Sequence, residues 1–203
     1  MKKVLFFTTI LAVLVNVITT AWAKEYEWLV FEEDVPFEAE ILEVVDLLPK
    51  RVIRQFEKGC TIKVVSQLCF LQKKYGAPMA GCYDMTEQMV YVAACRYPGM
   101  SIEEAKVAVK GVTLHEIGHR YDCAKCGWSY SEEFEEIYNE EKEAFKTTTA
   151  ATSFGTTVEY AVQNPQEFYA NAFAMYIMYP QELADKCPKA YAFMQFVVER
   201  KGV

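Results

Sequence analysis

The sequence predicts an α+β fold, a small mixed sheet packed against helices, and three observations carry that prediction. Two runs rich in β-branched residues, Thr61 to Leu68 and Met89 to Ala94, read as strands. From Ser101 onward, apolar residues recur at helical spacing in successive blocks. With 203 residues, 52% of them hydrophobic and 14% aromatic, the chain can enclose one sizeable core and little more.

The first residues read as an export signal. Lys2 and Lys3 precede an apolar run from Val4 to about Thr19, and Ala21 and Ala23 flank Trp22 in an A-x-A ending. Cleavage after Ala23 would leave residues 24–203 as a single domain. An uncleaved membrane anchor is the alternative, weakened by Asn16, Thr19 and Thr20 in and just after the run. No later segment is apolar for long enough to cross a bilayer. The expected product is therefore secreted or extracytoplasmic, with no stable membrane insertion after cleavage. Removing residues 1–23 takes out two lysines and no acid, which moves the formal net charge from -7 to -9. A surface of that sign repels phosphate backbones and anionic lipids, so nucleic acid is excluded as a natural partner and a basic or neutral polypeptide suits it better. Seven cysteines, at positions 60, 69, 82, 95, 123, 126 and 187, predict disulfides in an exported chain. The odd count leaves one without an internal partner, and the spacing alone does not define the pairing.

Next come the elements in chain order. Ile41, Val44, Val45, Leu48, Val52, Ile53 and Phe56 predict a helix from Glu38 to Glu57, divided at Pro49. Gly59 ends it, and Thr61 to Leu68 follows as a strand. A turn-rich segment holding Gly76, Pro78, Gly81 and Asp84 leads to the strand Met89 to Ala94, which Pro98 and Gly99 close. Ser101 with Glu104 forms a capping box, so a long helix is expected from Ser101 to about Asp122. Ser131 to Phe145 reads as an acidic helix whose charged side is solvated. Thr147 to Thr157 reads as a small, polar loop. Asn164 and Pro165, in N-cap and first-turn positions, open a helix through about Met178, and a last helix runs near Ala190 to Arg200.

The chemistry lies on the long helix. His115-Glu116-Ile117-Gly118-His119 is an H-E-x-x-H pattern, and helical spacing delivers both imidazoles from one face toward a single ion. Glu116, between them, is placed to act on a water at that ion. The pattern alone also occurs in helices that bind nothing. Here the two histidines are the only ones in the chain, and a buried pair without partners would be expensive to desolvate. A catalytic zinc needs a third protein ligand, and with no third histidine it must be a carboxylate. Glu167 opens the otherwise apolar helix Phe168 to Phe173 and is one candidate. It also stands three residues after Asn164, where it would complete a capping box. The residues alone leave those two readings open.

His115-Glu-Ile-Gly-His119-Arg-Tyr-Asp122, then an acidic helix, a Gly-containing loop, Tyr160 and Gln166-Glu167-Phe168-Tyr169-Ala170-Asn171-Ala172-Phe173, resembles the catalytic domain of anthrax lethal factor and the related secreted Pro-Pro endopeptidases. That family has H-E-[FL]-G-H-x-x-D, and a tyrosine seven residues before the first glutamate of E-F-F-A-E-A-F. Tyr160 stands seven residues before Glu167. The resemblance covers most of residues 24–203 and implies a zincin-like metalloprotease fold. It implies one zinc ion held by His115, His119 and Glu167, with Glu116 as general base and Tyr160 assisting the transition state. Without it, Tyr160 is one tyrosine among thirteen. The implied activity is zinc-dependent endoproteolysis of protein or peptide substrates, with proline-flanked bonds as a plausible target. Asn171 departs from the family, standing where lethal factor has a second glutamate.

Two other readings stay open. A non-catalytic binding module of the same fold would have no physical need to keep Glu116, Tyr160 and Glu167. Cys123-Ala-Lys-Cys126 invites a thiol-disulfide role, although structural bridging fits an exported chain better. For a protease, the strand Met89 to Ala94 is the expected edge against which an extended substrate lies.

Overall fold

The computed structural model describes residues 26–76, 79–125 and 127–199. The export-signal reading of residues 1–23 lies outside these, as do Cys126 and Arg200.

Strand β1 (Leu29–Phe31) is followed by helices α1 (Glu38–Asp46) and α2 (Lys50–Phe56). Pro49 divides the two helices as expected, sitting at the N-cap of the second where its missing N–H is not needed. Strand β2 (Thr61–Val65) then ends three residues earlier than the apolar run suggested, because the chain turns into helix α3 (Leu68–Tyr75). Gly76, at φ 78°, closes that helix. The segment read as turn-rich contains a strand of its own, β3 (Gly81–Asp84), which forms a hairpin with β4 (Met89–Ala93). Asp84 Oδ1 accepts from the backbone N–H groups of Thr86 and Glu87 at 2.9 and 3.0 Å, which holds the hairpin turn.

The sheet order is β1-β2-β4-β3, with β1, β2 and β4 parallel and β3 antiparallel to β4. This corrects one expectation. Strand β4 is interior, and the edge beside the long helix belongs to β3. Single-sequence alternation identifies a strand but not its place in the sheet, and β4's almost wholly buried pattern already fits a central position.

Helix α4 (Ile102–Ala124) begins with the predicted capping box: Ser101 Oγ accepts from Glu104 N at 3.2 Å and Glu104 Oε2 accepts from Ser101 N at 2.7 Å. A short 3-10 segment, Trp128–Tyr130, leads to the acidic helix α5 (Glu132–Phe145). The stretch read as a polar loop holds α6 (Thr149–Ser153), and α7 (Val158–Ala161) follows it. Thr148 and Thr157 cap them, so the polarity marked helix ends rather than loop. Helices α8 (Pro165–Met178), α9 (Pro180–Lys186) and α10 (Pro188–Glu199) complete the described chain. Among the described residues, no helix is long and apolar enough to cross a membrane.

Helix α4 packs between the β3–β4 hairpin and α8, while α5 and α10 cover the other side of α8. Phe134, Phe145, Phe168 and Phe193 fill that second layer, with ring centroids of Phe145 and Phe168 at 4.8 Å and of Phe134 and Phe193 at 4.9 Å. Each such ring contributes roughly 1.5–3 kcal/mol by leaving water. The α4–α8 crossing is tight at Gly118, where a Cβ would stand 3.0 Å from the Ala170 Cα. The expected disulfides are not seen at Cys60, Cys82, Cys123 or Cys187, whose thiols are free. Their surroundings differ: Arg120 for Cys60, Tyr75 for Cys82, Met85 for Cys123 and the Glu141 carbonyl for Cys187.

Candidate active site

His115 and His119 lie one turn apart on α4 and Glu167 lies in the first turn of α8, so the α4–α8 crossing decides whether they meet. They do. His115 Nε2 stands 3.0 Å from His119 Nε2 and 3.0 Å from Glu167 Oε2, which is 3.4 Å from His119 Nε2. The imidazole rings are nearly perpendicular, at 86°, which turns both nitrogens toward the carboxylate. Only half of the Asn164–Glu167 capping box forms. Asn164 Oδ1 caps α8 by accepting from Glu167 N at 2.9 Å, and the Glu167 side chain turns away to the histidines.

These three residues suit one divalent cation. Among the described residues they form a group whose donor atoms all lie within 4.8 Å of one another. Ligand atoms around a tetrahedral zinc, with bonds of 2.0–2.1 Å, are separated by about 3.3 Å. Glu167 Oε2 is buried and accepts no aligned hydrogen bond, although it faces both imidazoles. Three acceptor atoms so close, with an orphaned oxygen among them, are the arrangement a cation satisfies.

Electrostatics follow from crowding and burial. Burial by itself pushes the His115 imidazole down, but the contacts with Glu167 and Glu116 outweigh it and push it up. Burial raises Glu167, yet the two histidines hold it far below the ordinary carboxylate range. Glu116 is 7% exposed, and burial is the main reason its pKa is raised. A hydrogen bond from the Tyr83 backbone opposes that rise, tying the carboxylate to β3. Gly81, in the same strand, makes room for it: a Cβ there would stand 2.5 Å from Glu116 Cγ. Tyr160, 42% exposed at the end of α7, has its phenol pushed up by partial burial and by the Glu167 and Glu116 carboxylates. A cavity of about 290 Å³, lined by His115, Glu116, Tyr160, Gly81, Val112 and Phe154 among others, opens beside these groups.

One residue of the site, Gly81, had no sequence-level signal toward it, whereas Asn171 was marked by its place in the family motif as a residue that alters the surroundings of the metal ligands. Gly81 was read only as a turn glycine. Asn171, noted as a departure from the family, is buried with Oδ1 3.1 Å from His115 Nδ1, and its Nδ2 donates to the Glu167 and Ala161 carbonyls at 3.0 and 3.3 Å.

A mixed sheet beside a helix carrying H-E-x-x-H, crossed by a second helix with a facing glutamate, defines a zincin-like fold. The chain belongs to the family described as "Anthrax toxin lethal factor, N- and C-terminal domain", which residues 39–197 match. Its fold is similar to that of the Pro-Pro endopeptidase PPEP-2 from Paenibacillus alvei, with a TM-score of 0.59, 18% identity, and coverage of 83% of this chain and 96% of that one. A search of curated proteins returned no match.

Proposed function

We propose that this chain is an exported, zinc-dependent endopeptidase that cuts an extended segment of a protein substrate. The observation that carries the reading is the convergence of His115 Nε2, His119 Nε2 and Glu167 Oε2 beside the buried Glu116. His115, His119 and Glu167 would hold one zinc ion, and it would supply Lewis acidity toward the scissile carbonyl and a bound water.

The chain's own groups do the rest. Glu116 takes the proton of the attacking water and passes it to the leaving nitrogen, and its raised pKa suits both halves of that task. Tyr160 keeps its phenol proton and donates it as a hydrogen bond to the carbonyl oxygen when negative charge develops there. Among the described residues β3 is the edge strand next to the site, and its backbone groups other than the one Glu116 takes are offered to an extended peptide, a role the sequence pattern had given to β4. The neighbouring cavity takes a side chain flanking the scissile bond, and its apolar walls, Val112 and Phe154, favour an uncharged one. The name of PPEP-2 makes proline-flanked bonds the first to try.

The test is cleavage of a mixed peptide library by residues 24–203, with and without chelator, with zinc measured on the same sample. Chelator-sensitive cleavage with about one zinc per chain is expected. Bound zinc with no cleavage would sink the peptidase reading and favour the binding module.

A further inference from the structure

Asn171 lies one turn after Glu167 on α8 and is 1% exposed. Its Nδ2 faces two backbone carbonyls, Glu167 O at 3.0 Å and Ala161 O at 3.3 Å. Only the nitrogen end of an amide can satisfy two carbonyls, so the oxygen end must face His115 Nδ1, 3.1 Å away. An amide oxygen only accepts. When the His115 ring is neutral its proton is therefore held at Nδ1, which leaves the lone pair on Nε2, the atom directed at Glu167 Oε2. Ala161 directly follows Tyr160, so the same amide holds the turn that carries the phenol. A carboxylate in this place would accept from His115 equally well. It has no hydrogen for the carbonyls, and when ionised it would repel both.

We propose that Asn171 is a positioning residue that locks His115 in its Nδ1–H form and ties the Tyr160 turn to α8, a double task that an amide performs and a carboxylate does not. The inference rests on the metallopeptidase reading and adds to it the role of a residue that departs from the family pattern.

The first test needs no variant. The chain has two histidines, so a long-range proton–nitrogen NMR spectrum of the zinc-free protein, at a pH where both rings are neutral, shows only two ring systems. The His115 ring is expected with Nδ1 protonated, the opposite of the form that neutral imidazole prefers in water. A proton on Nε2 would overturn the proposal. Two substitutions then separate the tasks. N171A, which loses every contact, is expected to weaken zinc binding about 10- to 100-fold in competition with a chromogenic chelator. N171D, which keeps an acceptor for His115, is expected to retain more of the zinc affinity than N171A. Its kcat should nonetheless fall as far, with KM little changed, because the lost contact acts through Tyr160 in the transition state. Wild-type kcat in N171D, or wild-type zinc affinity in N171A, would overturn the assignment. A wild-type chain that takes up zinc and cleaves nothing would sink the peptidase reading, while the NMR and zinc comparisons still decide the role of Asn171.

Discussion

At the scale of single residues, the arrangement around Glu116 is the most demanding. Its carboxylate has β3 on one side and the two imidazoles on the other, so small displacements matter. Glu116→Gln preserves shape and removes the base; zinc content is expected to be unchanged while turnover falls by about 10²- to 10⁴-fold. Gly81→Ala places a methyl where Glu116 Cγ already is, and the same assay pair is expected to show retained zinc with a severalfold or greater drop in kcat. Normal turnover in Gly81→Ala would mean that β3 yields easily and that the strand does not set the position of the base. Tyr160→Phe removes one donor to the developing oxyanion, and about 10²- to 10³-fold in kcat with KM little altered is the expected signature. A rise in KM alone would instead make Tyr160 a substrate-binding group.

At the scale of elements, the crossing of α4 and α8 brings the candidate metal group together, and Gly118 permits its closeness. Gly118→Ala sets a Cβ against the Ala170 backbone at 3.0 Å, which is expected to cost about 1–3 kcal/mol of stability and to weaken zinc binding by moving Glu167 off the imidazoles. Denaturant unfolding and zinc competition on one sample check both. The ends of α4 and α8 were legible in the sequence because capping is local: Ser101 with Glu104, and Asn164 with Pro165, are neighbours along the chain. The H-E-x-x-H histidines were legible for the same reason. Strand β3 was not, since a glycine reads as a turn unless the carboxylate it must admit is known to lie across from it. The helices α6 and α7 were hidden by threonines whose capping role depends on where each helix starts. The edge position of β3 and the amide bridge of Asn171 are properties of contacts between distant segments, and one sequence does not encode them in any local pattern.

At the scale of the whole molecule, zinc and fold are linked. A ligand that binds only the folded state raises stability by about 4 kcal/mol when free at 1,000 times its Kd, which for a chain of this size corresponds to a Tm increase on the order of 10 °C. Calorimetry with and without chelator should show that gap in the wild type and not in His115→Ala. Alkylation under denaturing, non-reducing conditions should label at least the thiols of Cys60, Cys82, Cys123 and Cys187. The separation of the candidate group along the chain has a further consequence, in time rather than space. Glu167 follows His119 by 48 residues, an interval of roughly 2 to 10 s during synthesis. Throughout that interval a growing chain carries both imidazoles and the general base without the facing carboxylate. Under the proposed function the growing chain therefore has no working site during that interval; activity begins only when Glu167 has been added and the α4–α8 crossing has closed.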